Sequence, residues 1–264
     1  VVMSSQQAKK LRRGFLAAVA AAGVLAGGAV VEAKTFKWAF QGDVQTLDPH
    51  GLFETFTLGF QSNFYEGLVT RSPDLQLQPA LATSWENIEP TVWRFTLRQG
   101  VKFHNGNDFN ADDVIFSVER IRTEGSDLKV VAGLIEKAVK VDDYTVDLVT
   151  PRPDPILPLQ LEIFYIMDKE WSEANNTTEA TNVKGDDQGN YANLNANGTG
   201  PYMIKERQPD VRSVLVPNPN WWGDNKSNIT EAIFTPIGQD ATRVAALISG
   251  DVDMAYPVPV QDWK

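Results

Sequence analysis

The sequence predicts a mixed α+β to α/β fold, and three stretches carry that reading. TFKWAFQ (35–41) and TVWRFTLRQG (91–100) alternate in polarity with a period of two, the pattern of strands buried on one face. FNADDVIFSVERI (109–121) instead sets Val114, Val118 and Ile121 on one face of a helix. EAIFTPI, QDATRVAALISG and DVDMAYP follow one another over 231–257 as strand, helix and strand. A strand–helix–strand unit implies a parallel element, because parallel strands need a crossover.

The elements follow in chain order. Phe36, Trp38 and Phe40 share one face of the first strand. TFTLGFQSNFYEGLV (55–69) suits a helix running into a short strand. In 91–100, Val92, Arg94, Thr96 and Arg98 oppose Trp93, Phe95 and Leu97, and Gly100 ends the strand. Asn110 is the expected N-cap of the next helix, with Asp112 and Asp113 in its first turn, where the helix dipole favours negative charge. KAVKVDDYTVDLVT (137–150) reads as a hairpin turning at Asp142-Asp143. PRPDPILP (151–158) cannot lie inside a helix or a central strand. Residues 172–199 are almost all polar and are expected to form a long surface loop with one helical turn. PYMIKE (201–206) and VRSVLVP (211–217) are strands. In the helix at 239–250, Asp240 is the expected N-cap and Gly250 the C′ stop. No internal repeat is visible.

Composition excludes several chemistries. The 264 residues are 42% hydrophobic, enough for one large domain or two small ones. A formal charge of −10 argues against a nucleic-acid partner. The absence of cysteine removes disulfides, thiolate nucleophiles and cysteine-held metals. Two histidines, His50 and His104, are too few for a histidine-rich metal site, and no cofactor is expected.

The N-terminus reads as an export signal. Lys9, Lys10, Arg12 and Arg13 precede the weakly apolar FLAAVAAAGVLAGGAVV (15–31), and VEA (31–33) gives small or medium residues where a signal peptidase reads. Cleavage is expected after Ala33. A membrane anchor is the alternative, but the run is short against the ~20 residues of a bilayer span. RRGFL (12–16) is similar to a twin-arginine signal, and the Sec route is equally open. With no cysteine after the run, lipoprotein anchoring is excluded. Residues 1–33 carry four positive charges and one negative, so the remainder carries −13. An acidic, cysteine-free exported chain fits a bacterial periplasm. Val1 and Val2 precede Met3 and read as upstream sequence.

No catalytic motif is present. The acidic pairs Asp112-Asp113, Asp142-Asp143 and Asp186-Asp187 do not converge, since neighbours diverge on helices and strands alike. GDDQGN (185–190) lacks the spaced ligands and closing Glu of a calcium loop. Spacing alone does not test a glycosidase carboxylate pair, whose members come from distant segments. There is no G-x-S-x-G, P-loop or H-E-x-x-H, and GTG (198–200) lacks the rest of a dinucleotide fingerprint. Sequons at Asn175, Asn176, Asn197 and Asn228 read as coincidental beside a bacterial leader. NPNWWGDN (218–225) sets Trp221 and Trp222 side by side among turn formers, either as a ligand platform or as a structural corner.

Eight pieces in order carry a family resemblance: LDPH (47–50), YEGLV (65–69), LQPALATSWE (77–86), WRFTLRQGVKFHNG (93–106), FNADDVIFSVERI (109–121), GTGPY (198–202), NPNWWG (218–223) and DATRVAALISGDVDM (240–254). Together they resemble the extracellular solute-binding proteins that serve peptide and nickel ABC importers. The resemblance spans nearly everything after residue 33. It implies two lobes joined by a hinge, with the ligand enclosed between them. Residues 34–68 and 191–264 would form the main lobe and 69–190 an extra subdomain, with the second lobe absent, so the chain looks like an N-terminal fragment. Gly198, Gly200 and Pro201 resemble the segment that crosses back into the main lobe. The resemblance also implies a monomeric periplasmic receptor, not an enzyme, whose partners are a peptide or other small solute and the transmembrane subunits of a permease. Opines, oligosaccharides, nickel chelates and haem are the alternative ligands. A truncated product without function and a secreted hydrolase are the alternative readings. Leu52, Phe53, Glu54 and Thr55 match the extended loop that approaches the ligand, with Phe53 and Phe56 as plain core residues the alternative. The resemblance makes Trp222 and Trp221 a packed corner and His104 structural.

Overall fold

The computed structural model describes residues 33–185 and 189–262. The expected leader up to Glu32 and the Asp186-Asp187 pair lie outside the described residues. The mixed α+β architecture expected from the sequence is present, organised on two main sheets.

The first sheet has five strands. They are β1 (Lys34–Phe40), β8 (Tyr202–Gln208), β9 (Arg212–Pro217), β10 (Ile229–Pro236) and β11 (Met254–Tyr256), in the order β11-β1-β10-β9-β8. β1 runs parallel to both its neighbours, with Phe40 opposite Pro236 on one side and Tyr256 on the other. The expected strand–helix–strand unit over 231–257 therefore exists, but its two strands are not adjacent: the N-terminal strand lies between them. β8, β9 and β10 pair antiparallel. Helix α1 (Thr55–Gln61) packs on this sheet, and Leu58, Phe60, Phe64, Leu215 and Phe234 form its core.

The second sheet is antiparallel, in the order β4 (Ala82–Glu89), β5 (Val92–Leu97), β7 (Thr145–Val149), β6 (Lys137–Asp142). A short ribbon of β2 (Val69–Arg71) and β3 (Leu77–Pro79) precedes it. Helix α2 (Ala111–Arg120) lays Val114 and Val118 onto Phe95 and Leu148, all fully buried. Its start is the Asn110 N-cap expected from the sequence, which the structure closes into a capping box. Asn110 Oδ1 accepts from the Asp112 N–H at 2.8 Å, and Asp113 Oδ2 accepts from the Asn110 N–H at 2.9 Å. Short helices α3 (Lys129–Ala132), α4 (Leu157–Gln160) and α5 (Lys169–Ala174) follow.

Two expectations are corrected. Helix α6 (Asp240–Ser249) has Gln239 at the N-cap, and Asp240 is its first helical residue. The Asp240 carboxylate is drawn instead to the buried guanidinium of Arg243 at 2.5 Å. Arg243 also donates to Ile237 O at 2.7 Å and Pro257 O at 3.0 Å, tying together the exits of β10 and β11. Gly250 ends α6 as expected, with φ of 80°. The second correction concerns 172–199, which is not a surface loop throughout. Besides α5 it holds a 3₁₀ turn (Tyr191–Asn193), and Ser172, Thr177, Thr181, Asn197 and Thr199 are buried. Its polar groups go inside because buried charges need them. Thr177 O accepts from Arg120, the Thr181 N–H donates to Asp48, and Asn197 Nδ2 donates to Asp168.

Candidate functional site

The three parallel strands β10, β1 and β11 all end on one side, at Pro236, Phe40 and Tyr256. Against α1, along the face of these strands from Phe36 and Ile229 to Phe40 and Tyr256, lies a groove of about 550 Å³. Phe36, Trp38, Phe40, Phe56, Tyr202 and Tyr256 supply aromatic walls. Phe40 stacks on Phe56 with centroids 3.8 Å apart and on Tyr256 with centroids 5.6 Å apart. Tyr256 stays 61% exposed. The aromatic face of β1 is therefore not a closed core. It is half-buried, while Ala39 on the opposite face is fully buried.

The four residues expected at the ligand divide in two. Glu54 and Thr55 line the groove, whereas Leu52 is buried and Phe53, 47% exposed, lies outside the lining. Phe56 is half-buried in the groove wall, so neither Phe53 nor Phe56 is a plain core residue. Glu54 has extended backbone and caps α1: its Oε1 accepts from the Phe56 N–H at 3.0 Å and its Oε2 from the Thr57 N–H at 2.7 Å. Burial alone would raise the Glu54 carboxyl, but the N–H donors of Thr57 and Phe56 outweigh it and hold it below the usual range. Tyr202, Met254 and Tyr256 also line the groove and were missed. Their one local signal is an aromatic or methionine in each strand, because what gathers them is the pairing of β1 with distant strands.

Behind the loop sits a buried polar cluster. Asp48 accepts from Arg120 at 2.7 Å on Oδ1 and 2.6 Å on Oδ2. Arg120 also donates to His50 Nδ1 at 3.1 Å, so His50 holds its proton on Nε2 and donates it to Tyr165 O at 2.9 Å. Burial favours a neutral Asp48, but the Arg120 charge and hydrogen bonds prevail and keep it ionised well below the usual range. This explains the LDPH piece: Asp48 and His50 are fully buried and engaged with Arg120 and the Tyr165 carbonyl.

The two tryptophans form a tied corner that borders a second cavity of about 380 Å³. The Trp221 and Trp222 indole N–H groups both donate to Glu66, at 3.2 and 2.7 Å, and Thr199 Oγ1 donates at 2.8 Å. The Arg98 guanidinium lies 4.0 Å from the centre of the Trp222 ring. Burial pushes the Glu66 carboxyl up, and these donors partly offset it. Neither indole lines the groove. Gly200 passes directly beneath Phe64, where a Cβ would come within 2.6 Å of the Phe64 carbonyl carbon. His104 is likewise structural: it accepts from the Gly198 N–H at 3.3 Å and donates to Gly200 O at 3.1 Å.

Asp113, Asp168 and Glu170 bring three carboxylate oxygens within 4.8 Å of one another. Hydrogen bonds account for the two buried ones. Asp168 Oδ2 accepts from Asn105, Asn107 and Asn197, and Asp113 accepts from the Asn110 and Lys169 N–H groups.

The sequence profile of the bacterial extracellular solute-binding proteins, family 5 Middle, matches residues 76–264. The chain is 27% identical over 258 residues to the periplasmic oligopeptide-binding protein OppA of Salmonella typhimurium, covering 90% of this chain and 46% of that protein. It is 31% identical over 257 residues to the dipeptide-binding protein of Escherichia coli, covering 88% and 46%. Among solved structures it superposes on AgaA of A. tumefaciens R10, in complex with agropinic acid, with a TM-score of 0.75 and 26% identity over 87% of this chain and 45% of that one. The chain spans about half the length of the curated relatives it matches.

Proposed function

The chain belongs to the bacterial extracellular solute-binding proteins of family 5, and from that premise we propose that it forms one wall of a periplasmic receptor for an ABC importer. The receptor captures a peptide or related small solute and delivers it to the permease. The carrying observation is the open aromatic groove along the face of three parallel strands, beside the extended loop at Glu54. An extended loop suits recognition of peptide backbone, which tolerates many side chains. The names of the two curated relatives favour a peptide. The agropinic acid held by AgaA supports a second reading, in which the solute is a non-peptide conjugate. No catalytic step is involved.

In this reading 34–68 and 191–264 make the main lobe and 69–190 the extra subdomain. In support, the five-stranded sheet draws only on the first and last of these segments and the four-stranded sheet only on the middle one. The opposite wall comes from the length that the relatives have beyond this chain. Ligand touching both walls favours the closed state. The receptor is a monomer, exported by a leader cleaved after Ala33; periplasmic material starting at Lys34 on N-terminal sequencing checks the cleavage.

Calorimetry with a peptide mixture tests the two-wall reading. On an open wall each hydrogen bond nets only ~0.5–1.5 kcal/mol, while ordering a flexible peptide costs ~1–2 kcal/mol per residue. Residues 34–264 alone are therefore expected to show no micromolar binding. The protein extended to its relatives' length is expected to bind. Micromolar binding by the chain alone would place the whole site in this half and overturn the reading.

A further inference from the structure

The loop from Leu52 to Glu54 is held from outside its own lobe. The turn after α2 reaches it through Asp127, 74 positions away. The Asp127 N–H donates to His50 O at 3.0 Å, and Asp127 Oδ2 accepts from the Phe53 N–H at 2.9 Å. The other oxygen, Oδ1, accepts from Lys184 Nζ at 2.6 Å. The turn itself is fixed. Ser126 Oγ accepts from the Leu128 N–H at 3.1 Å, and Leu128 is fully buried in the core of the four-stranded sheet. A rigid core is thus connected, through one carboxylate, to the backbone of the loop.

We propose that Asp127 is a positioning residue for the ligand wall: acting through the Phe53 amide, it fixes the backbone that leads into the extended residue Glu54 before the ligand arrives. The proposal rests on the reading of that loop as a ligand wall. Its physical basis is preorganisation. A loop that binds through its backbone must otherwise be ordered by the ligand, and that ordering subtracts from affinity. The extra subdomain then has a task at the site although it lines no part of the groove. The Lys184 ion pair is not the device, because the Lys184 side chain is 66% exposed and such surface pairs contribute little.

Three substitutions in the 264-residue chain separate these roles, with amide hydrogen exchange read at Phe53. Asp127→Ala removes the acceptor, and exchange at Phe53 is expected to accelerate roughly ten-fold or more. Asp127→Asn keeps an Oδ1 that accepts the same bond, and restores protection. Lys184→Ala removes the ion pair and leaves Phe53 protected. If Asn and the Lys184 variant both behave like Asp127→Ala, Asp127 is only half of a surface ion pair and the proposal is wrong. Unchanged exchange in Asp127→Ala also overturns it. In the protein carrying both lobes, Asp127→Ala should weaken peptide affinity and Asp127→Asn should not. Faster exchange with unchanged affinity would sink the positioning role. Failure of the unsubstituted two-lobe protein to bind any solute is a separate result, against the solute-binding reading itself.

Discussion

Asp48 and Arg120 face each other in a two-pronged ion pair from which both side chains are wholly excluded from solvent. They come from the loop after β1 and the end of α2, so one pair joins the two sheets' territories. The remaining donors of Arg120 reach His50 Nδ1, Thr177 O and Glu179 O, and Asp48 Oδ2 also accepts from the Thr181 N–H.

Removing one partner of such a pair strands the other as an unpaired buried charge. Asp48→Ala or Arg120→Met is expected to cost ~3–5 kcal/mol, read as a lowered urea midpoint. The double variant Asp48→Leu with Arg120→Met should recover part of that loss, since neither charge remains. Single variants within ~1 kcal/mol of wild type would show that the pair does not bear on stability.

Stability is expected to depend on pH with two opposing signs. Burial, then the Arg120 charge, holds His50 down to about 4, and burial takes His104 to about 4 against the Gly200 carbonyl. Unfolded histidine titrates near ~6.5, so below that the unfolded chain binds more protons. The histidine contribution is full above pH ~6.5 and is lost as pH falls through about 4. Asp113 acts the other way. Burial pushes it from 3.8 to about 7, so the folded chain binds the extra proton and stability falls as pH rises across that window. Asp113→Asn removes this effect. The thermal midpoint of the variant minus that of wild type should grow between pH 4 and pH 7. A difference that stays flat would mean that Asp113 is ionised throughout.

Trp222 is tied to Glu66 and stacked under Arg98, so Trp222→Ala is expected to destabilise the fold by ~3 kcal/mol or more. Denaturant unfolding measures it. If the midpoint holds while the two-lobe protein loses affinity, the corner assignment fails and the ring is a ligand platform.

Sequence patterns revealed those parts of the fold that local chemistry determines. The N-cap at Asn110 and the stop at Gly250 follow from short-range geometry, and both are present. The alternation of Phe36, Trp38 and Phe40 identified a strand but not its surroundings. Its neighbours are Ile229–Pro236 and Met254–Tyr256, and nothing near residue 36 points to them. The groove was hidden for the same reason. In the polar run 172–199, polarity does not mean exposure. Thr177, Thr181 and Asn197 are inside because Arg120, Asp48 and Asp168 need partners there. Asp240 was misplaced by one residue because Arg243, a helical turn later, competes for its carboxylate.

The central position of β1 also bears on how the chain is made. Its register begins with Lys34 opposite Ile229, so its first neighbour is synthesised roughly 10–40 s later at ordinary ribosome speeds. The β4–β5 and β8–β9 pairs link consecutive strands and can close as they emerge. β1 waits with both edges unpaired and its three aromatic rings uncovered, a target for a holding chaperone. The five-stranded sheet is thus completed last, once β10 and β11 have been made.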